Sequence, residues 1–215
     1  MTTKPSVTVV DYGRGNLLSV ARAFERVGAE VTVTDDAEAI AAAVRLVIPG
    51  VGAFADAMGE LSRRNLIDPL KAYAETGRPM LGVCVGMQIL FDSGEEFGEF
   101  AGLGLMPGRV TPIAGRSSMR LKIPHIGWNR LLPANEWDHT ILAGLGEDPY
   151  CYFVHSFAAV PESDDVLLSQ MAYGDLCLTA AVRRENIWGC QFHPEKSGET
   201  GLKIISNFLE LALAL

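Results

Sequence analysis

Cys84 stands in Gly82-Val83-Cys84-Val85-Gly86, directly after the apolar run that begins at Met80. Far downstream the chain reads Gln191-Phe192-His193-Pro194-Glu195. A cysteine with glycines two residues to either side is the thiol form of a nucleophile elbow. The reactive side chain sits on a sharp strand-to-helix turn, where only glycine lets the backbones pass closely. At the first turn of a helix starting near Val85, unsatisfied amides and the helix dipole favour a thiolate. His193 offers a base for the proton. Glu195 can accept from the other ring nitrogen, fixing the tautomer and stabilising the imidazolium. Each piece alone has a plainer reading: a small buried hydrophobe at Cys84, a structural turn at His193-Pro194-Glu195. Together they describe a Cys-His-Glu triad for covalent acyl transfer.

Such chemistry needs donors for the oxyanion that forms on the attacked carbonyl. The amide of Val85, next after the nucleophile, is one. The other is Val51, in Pro49-Gly50-Val51-Gly52, whose glycines let the backbone present an amide to a ligand. Losing one such donor costs about 10²–10³ in rate. Gln88 lies one helical turn beyond Cys84, on the same face and within reach of a substrate. Glu95 and Glu96 come after that helix, where a carboxylate can receive a cationic amino group. Taken alone, that acidic pair reads as a solvated loop.

Positioning these groups requires an alternating frame, and the first half of the chain supplies it. Residues 7–10 are strand-like and end in Asp11-Tyr12-Gly13-Arg14-Gly15. Asn16 then caps a helix with Leu17, Val20, Ala21, Phe24 and Val27 at helical spacing, closed by Gly28. Residues 31–34 and 46–48 are further strands, with an Ala-rich helix between them capped by Asp35 or Asp36. Helical patterns follow at 54–62 and 66–76, then a strand at 80–83. The alternation predicts an α/β fold, a mostly parallel central sheet with helices on both faces. After residue 100, strand-like segments near 105–113, 126–132, 150–160, 166–173, 176–184 and 187–192 predict an antiparallel strand-rich insertion. A closing helix starts near Thr200. Ligands of such open sheets bind at the carboxyl ends of the parallel strands, where loops 11–16, 49–54 and 82–86 fall.

With 215 residues, 48% hydrophobic and 20% charged, the chain suits one domain, 1–215, with a substantial core. A net charge of −8 argues against a nucleic-acid backbone as the main partner. Arg109, Arg116, Arg120 and Lys122 form only a loose basic patch, read as a solvated loop. No secretory signal pattern is present, and no apolar run approaches the roughly 20 residues of a membrane span. Cys151, Cys177 and Cys190 sit among apolar neighbours, as buried thiols do, and no CxxC spacing suggests zinc. No metal or cofactor is expected, and the expected compartment is the reducing cytoplasm.

The elbow, together with Gln191-Phe192-His193-Pro194-Glu195-Lys196-Ser197, strongly resembles the class I (triad) glutamine amidotransferases. These hydrolyse the side-chain amide of glutamine through a γ-glutamyl thioester and pass ammonia to a synthase partner. Four further segments look like the glutaminase subunits of imidazole glycerol phosphate synthases. They are Asp11-Tyr12-Gly13-Arg14-Gly15-Asn16, Pro49-Gly50-Val51-Gly52-Ala53-Phe54, Pro124-His125-Ile126-Gly127-Trp128-Asn129 and Tyr152-Phe153-Val154-His155-Ser156-Phe157. The resemblance spans nearly the whole chain. It implies Cys84, His193 and Glu195 as the triad, and Gly50, Gly52, Gln88 and Glu96 at glutamine-contacting positions. It places Asn16, Trp128, Tyr152 and Lys196 on a partner interface around an ammonia tunnel.

The resemblance further implies a heterodimer with a (β/α)8-barrel cyclase subunit in histidine biosynthesis. The 49–52 loop would keep its amide misaligned until the cyclase binds its nucleotide. Phe157 departs from an expected Tyr, which puts one hydrogen bond in question. The chemistry itself also calls for a partner, since ammonia released into bulk water would protonate and lose its nucleophilicity. Three alternatives stand beside this reading: an amidotransferase serving another synthase, a free-standing γ-glutamyl hydrolase, and a binding subunit with a vestigial triad. The 124–129 and 152–156 segments argue against the first, the missing secretory signal against the second, the intact triad against the third.

Overall fold

In the computed structural model, which describes residues 4–213, the valine-rich start of the chain forms β1 (Ser6–Val10). It leads into α1 (Leu17–Arg26), whose N-cap Asn16 accepts a hydrogen bond from the Ser19 amide at 3.3 Å. Strand β2 (Glu30–Thr34), helix α2 (Ala37–Ala42) and strand β3 (Leu46–Gly50) follow. Then come α3 (Phe54–Arg63), α4 (Ile67–Ala74) and β4 (Met80–Cys84). Asp36 caps α2, its Oδ1 accepting from the amides of Glu38 and Ala39. β1, β3 and β4 are almost wholly buried along their length, as parallel strands under helices must be. α1 packs on α6 (Gly198–Glu210) through Phe24 and Phe208, rings edge to face at 6.2 Å, and α2 packs on α4.

The main sheet gains β9 (Leu132–Pro133), β12 (Leu167–Tyr173), β13 (Leu176–Arg184) and β14 (Ile187–Cys190) from the second half. Its order is β2-β1-β3-β4-β14-β13-β12-β9. The strands from β2 to β14 run parallel, and β13, β12 and β9 continue the sheet antiparallel. The α/β architecture is the one the alternation predicts. The second half is more than an insertion, because β14 enters the sheet beside β4 and pairs Cys190 with Val83. A short apolar strand has the same pattern beside any neighbour, so periodicity cannot announce that pairing.

Two smaller sheets complete the fold. β8 (His125–Arg130) pairs with β10 (Tyr150–His155), and β11 (Phe157–Pro161), β7 (Met106–Pro112), β5 (Phe91–Gly94) and β6 (Phe100–Ala101) form the other. The segment 150–160, expected as one strand, thus breaks at Ser156 and serves both sheets. Burial records the break: Cys151, Phe153 and His155 alternate inward, then the phase shifts to Ala158 and Ala159. Cys177 is a second correction. Cys151 and Cys190 are buried but Cys177 is exposed. It lies at the start of β13, ahead of the continuously buried run 178–182.

Candidate active site

Cys84 closes β4, and α5 (Val85–Gln88) opens immediately as a single helical turn. The backbone bends so sharply between them that Cys84 takes φ 56° and ψ −113°, a region rarely occupied outside glycine. The surrounding glycines make the bend fit. A Cβ on Gly50 would lie 2.6 Å from the Gly86 nitrogen, and one on Gly82 would lie 2.5 Å from the Gly86 oxygen. A Cβ on Gly86 would be driven into the Ile48 carbonyl. β3, β4 and α5 therefore pack backbone against backbone. With one turn only, α5 supplies less helix dipole than the sequence reading expects.

β14 brings the partners of Cys84, since its parallel register carries the chain past Cys190 to Gln191 and then His193. The His193 amide donates to the Tyr152 carbonyl at 2.9 Å, and the Ser197 hydroxyl donates to the His193 carbonyl at 2.7 Å. His193 Nδ1 lies 2.8 Å from Glu195 Oε1, with the two side chains only 3% and 1% exposed. Nε2 is buried without a hydrogen-bond partner, as is Glu195 Oε2. Burial alone would lower the His193 pKa, but the interactions with Cys84 and Glu195 outweigh it and push it up to about 9. A carboxylate on Nδ1 fixes the tautomer and leaves Nε2 for the thiol.

Cys84 and His193 open into a cavity of about 250 Å³, room for a ligand the size of an amino acid. Val51, Gly52, Val85, Gln88 and Glu96 line it, joined by Pro124 and residues 154–157 from the smaller sheets. Gly50 is not on the wall. It is buried beneath Tyr12, whose hydroxyl donates to the Pro49 carbonyl at 2.7 Å. Gly52 has φ 97°, a conformation that requires glycine. Glu96 Oε2 accepts from the Phe54 amide at 2.8 Å, so it caps α3 as well as lining the cavity. Gln88 Nε2 donates to the Phe157 carbonyl at 3.2 Å and to Gln191 Oε1 at 2.9 Å. Phe157 contributes that carbonyl, and its ring has no hydroxyl to add.

Trp128 and Tyr152 are cross-strand neighbours on β8 and β10, rings edge to face at 6.1 Å, with Lys196 Nζ 5.9 Å from the Tyr152 ring centre. Trp128 is 53% exposed and so is not a core aromatic. Asn16 is engaged in capping α1. Sequence reasoning misses Gln191, whose Nε2 lies 3.7 Å from Cys84 Sγ. Its one signal is its place two residues before His193. Tyr12, His125 and His155 carry no individual signal, because their partners lie across the fold. Among the described residues no group of three or more His, Cys, Asp or Glu is placed to hold a metal ion. No helix among them is long and apolar enough to cross a membrane.

Residues 8–212 match the sequence profile of the class-I glutamine amidotransferases. The chain belongs to that family. As a class-I glutamine amidotransferase it is an enzyme that hydrolyses glutamine. It is 48% identical to imidazole glycerol phosphate synthase subunit HisH 1 of Legionella pneumophila (strain Lens), over 96% of this chain and 99% of that one. Identity is 49% to subunit HisH of Salinibacter ruber, over 95% and 94% of the two chains, and 44% to that of Synechococcus elongatus, over 97% and 94%. Among solved structures, PurLQS from Thermotoga maritima matches with a TM-score of 0.70 at 22% identity, covering 97% of this chain and 99% of that one. A glutamine amidotransferase crystal structure matches at 0.71 and 19%, covering 95% and 99%. At such identities the structural likeness speaks for the shared amidotransferase fold alone.

Proposed function

We propose that this amidotransferase is the glutaminase subunit of an imidazole glycerol phosphate synthase. It hydrolyses glutamine through a thioester on Cys84 and delivers ammonia to a (β/α)8-barrel cyclase subunit for histidine biosynthesis. The observation that carries the chemistry is the buried arrangement of Cys84, His193 and Glu195 at the carboxyl ends of β4 and β14, open to an amino-acid-sized cavity. Near full-length identity to subunits of that name supports the partner.

The Cys84 sulfur attacks the amide carbon of the glutamine side chain, and the amides of Val85 and Val51 receive the charge that develops on oxygen. His193, raised to about 9, carries the proton that the departing ammonia takes, and Glu195 steadies the imidazolium. Water, deprotonated by His193, then cleaves the thioester, restoring the thiol and releasing glutamate. Gly52 and Gln88 contact the substrate, Glu96 receives its α-amino group, and Gly50 supports them from below. Asn16, Trp128, Tyr152 and Lys196 belong to the docking face, since ammonia must leave by a shielded route. The chain, 1–215, works as one domain in the cytoplasm. The place of β14 inside the sheet, between strands from both halves, supports the single-domain reading.

The deciding experiment measures glutamine hydrolysis by the chain alone, then with the cyclase subunit and its nucleotide ligand. Strong stimulation in the ternary mixture is expected. Cys84→Ala should abolish glutamine-dependent synthesis while added ammonia still sustains it. Full hydrolysis without any partner would point to a free-standing hydrolase, and loss of ammonia-dependent turnover would break the proposed division of labour.

A further inference from the structure

Along the cavity wall and behind it runs a continuous chain of hydrogen bonds. It begins on β8, where Asn129 Nδ2 lies 2.9 Å from His125 Nε2. His125 Nδ1 lies 3.2 Å from His155 Nε2, and His155 Nδ1 lies 2.8 Å from the Phe157 carbonyl oxygen. Gln88 Nε2 donates to the same carbonyl and also to Gln191 Oε1. Gln191 Nε2 then donates to the Cys84 sulfur at 3.7 Å.

The roles are fixed along the whole length. A carbonyl can only accept, so His155 Nδ1 carries the proton and its Nε2 accepts from His125 Nδ1. His125 Nε2 is then left to accept from Asn129. Both imidazoles must be neutral for this, and burial lowers both from the usual value, His155 to about 4. On the other side, Gln88 gives one N–H to the Phe157 carbonyl and the other to Gln191 Oε1. Gln191 therefore keeps its own N–H for the sulfur. His125, His155, Gln88 and Gln191 are all buried, Gln191 completely. In a water-excluded interior each such bond orients the next.

We propose that Gln191 is a positioning residue of the thioester reaction, the last link of a buried chain that runs from Asn129 on the outer two-stranded sheet to the Cys84 sulfur. The inference rests on the reading of Cys84 as the nucleophile. An N–H directed at the sulfur restrains its rotamer and supports negative charge when it forms. The same carboxamide orients Gln88 at the cavity wall. Trp128, next to Asn129 in sequence, lies on the opposite face of β8, so the network reaches the strand that carries the proposed docking row.

The test uses the complex with the cyclase subunit. Gln191→Met keeps length and burial but has no donor. It should lower kcat for glutamine hydrolysis roughly tenfold and slow the alkylation of Cys84 by iodoacetamide. His125→Phe should also lower kcat, and the double variant should lose little more than Gln191→Met alone, because the chain is already cut. Gln191→Asn, polar but a methylene too short to reach the sulfur, should behave as Gln191→Met and stands in for it if that variant does not fold. Unchanged kcat and alkylation in a folded Gln191 variant would overturn the positioning role. Fully additive losses with His125→Phe would overturn the chain, leaving two separate packing effects. The wild-type complex and Cys84→Ala, run in parallel, keep the two levels apart. A wild type without glutaminase activity, or Cys84→Ala as fast as wild type, sinks the nucleophile assignment, whereas an active wild type beside an equally active Gln191→Met sinks only this inference.

Discussion

Cys84 holds a backbone conformation that costs about 1–3 kcal/mol for a residue with a side chain, and it lies against a buried imidazole–carboxylate pair. Glu195 shares the support of that imidazole with Cys84. Glu195→Gln keeps the shape and an acceptor oxygen but removes the charge, so the His193 pKa must fall. The alkaline limb of the kcat/KM profile should move to lower pH. Stability carries the same sign. His193 is raised above its unfolded value of 6.5, so its contribution is full below that pH and is lost as pH rises through about 9. The variant should lose that contribution at lower pH than the wild type. Melting curves taken between about pH 6 and 10 check this, and parallel curves for the two proteins would remove Glu195 as the supporting carboxylate. The elbow and the His193-Pro194-Glu195 segment are legible in the sequence because their chemistry is written in residue type and short spacing. Gln191, Tyr12 and His155 are not, because each acts on a group brought close only by the sheets.

At the scale of elements, the elbow works because β3 and β4 approach α5 without side chains between them. Gly86→Ala drives its Cβ into the Ile48 carbonyl, a backbone atom that can yield only if β3 moves. The expected loss is about 3 kcal/mol or more, seen as a lower denaturation midpoint or as failure to accumulate folded protein. Gly59→Ala is the contrast. Gly59 lies in α3, where an added Cβ meets nothing within 4 Å, and the change should stabilise by about 0.4–1 kcal/mol. Equal losses from both would mean that Gly86 is not a close-approach glycine. The strands and helices of the first half could be read from periodicity because apolar spacing within a segment records which face it buries, whatever element covers that face. The pairing of β14 with β4 and the break at Ser156 could not. Both are decided by which distant strand is met, and the second leaves only a phase shift after His155.

For the whole molecule, the ribbon of β8 and β10 presents an exposed aromatic row beside the cavity, the docking face proposed above. Cross-strand pairs Tyr150–Arg130, Tyr152–Trp128 and Val154–Ile126 form one row. Ile126, Trp128 and Tyr150 are exposed, while Val154 lines the cavity. An exposed apolar row that leads into a reactive pocket is the surface a partner receiving a small product would cover. Composition could not reveal this, since a Trp followed by Asn reads equally as core or surface; only its resemblance to known interface segments marked it. Aromatic anchors flanked by a cation tend to dominate such interfaces. Trp128→Ala should therefore weaken binding of the cyclase subunit about tenfold to a hundredfold in titration calorimetry. Stability of the isolated chain should change by less than about 1 kcal/mol, because Trp128 is half exposed and packs edge to face on Tyr152 before binding. The two measurements together discriminate. Weaker docking with unchanged stability places Trp128 in the interface, a stability loss of equal size makes it a packing residue of the ribbon, and unchanged affinity moves the docking face elsewhere.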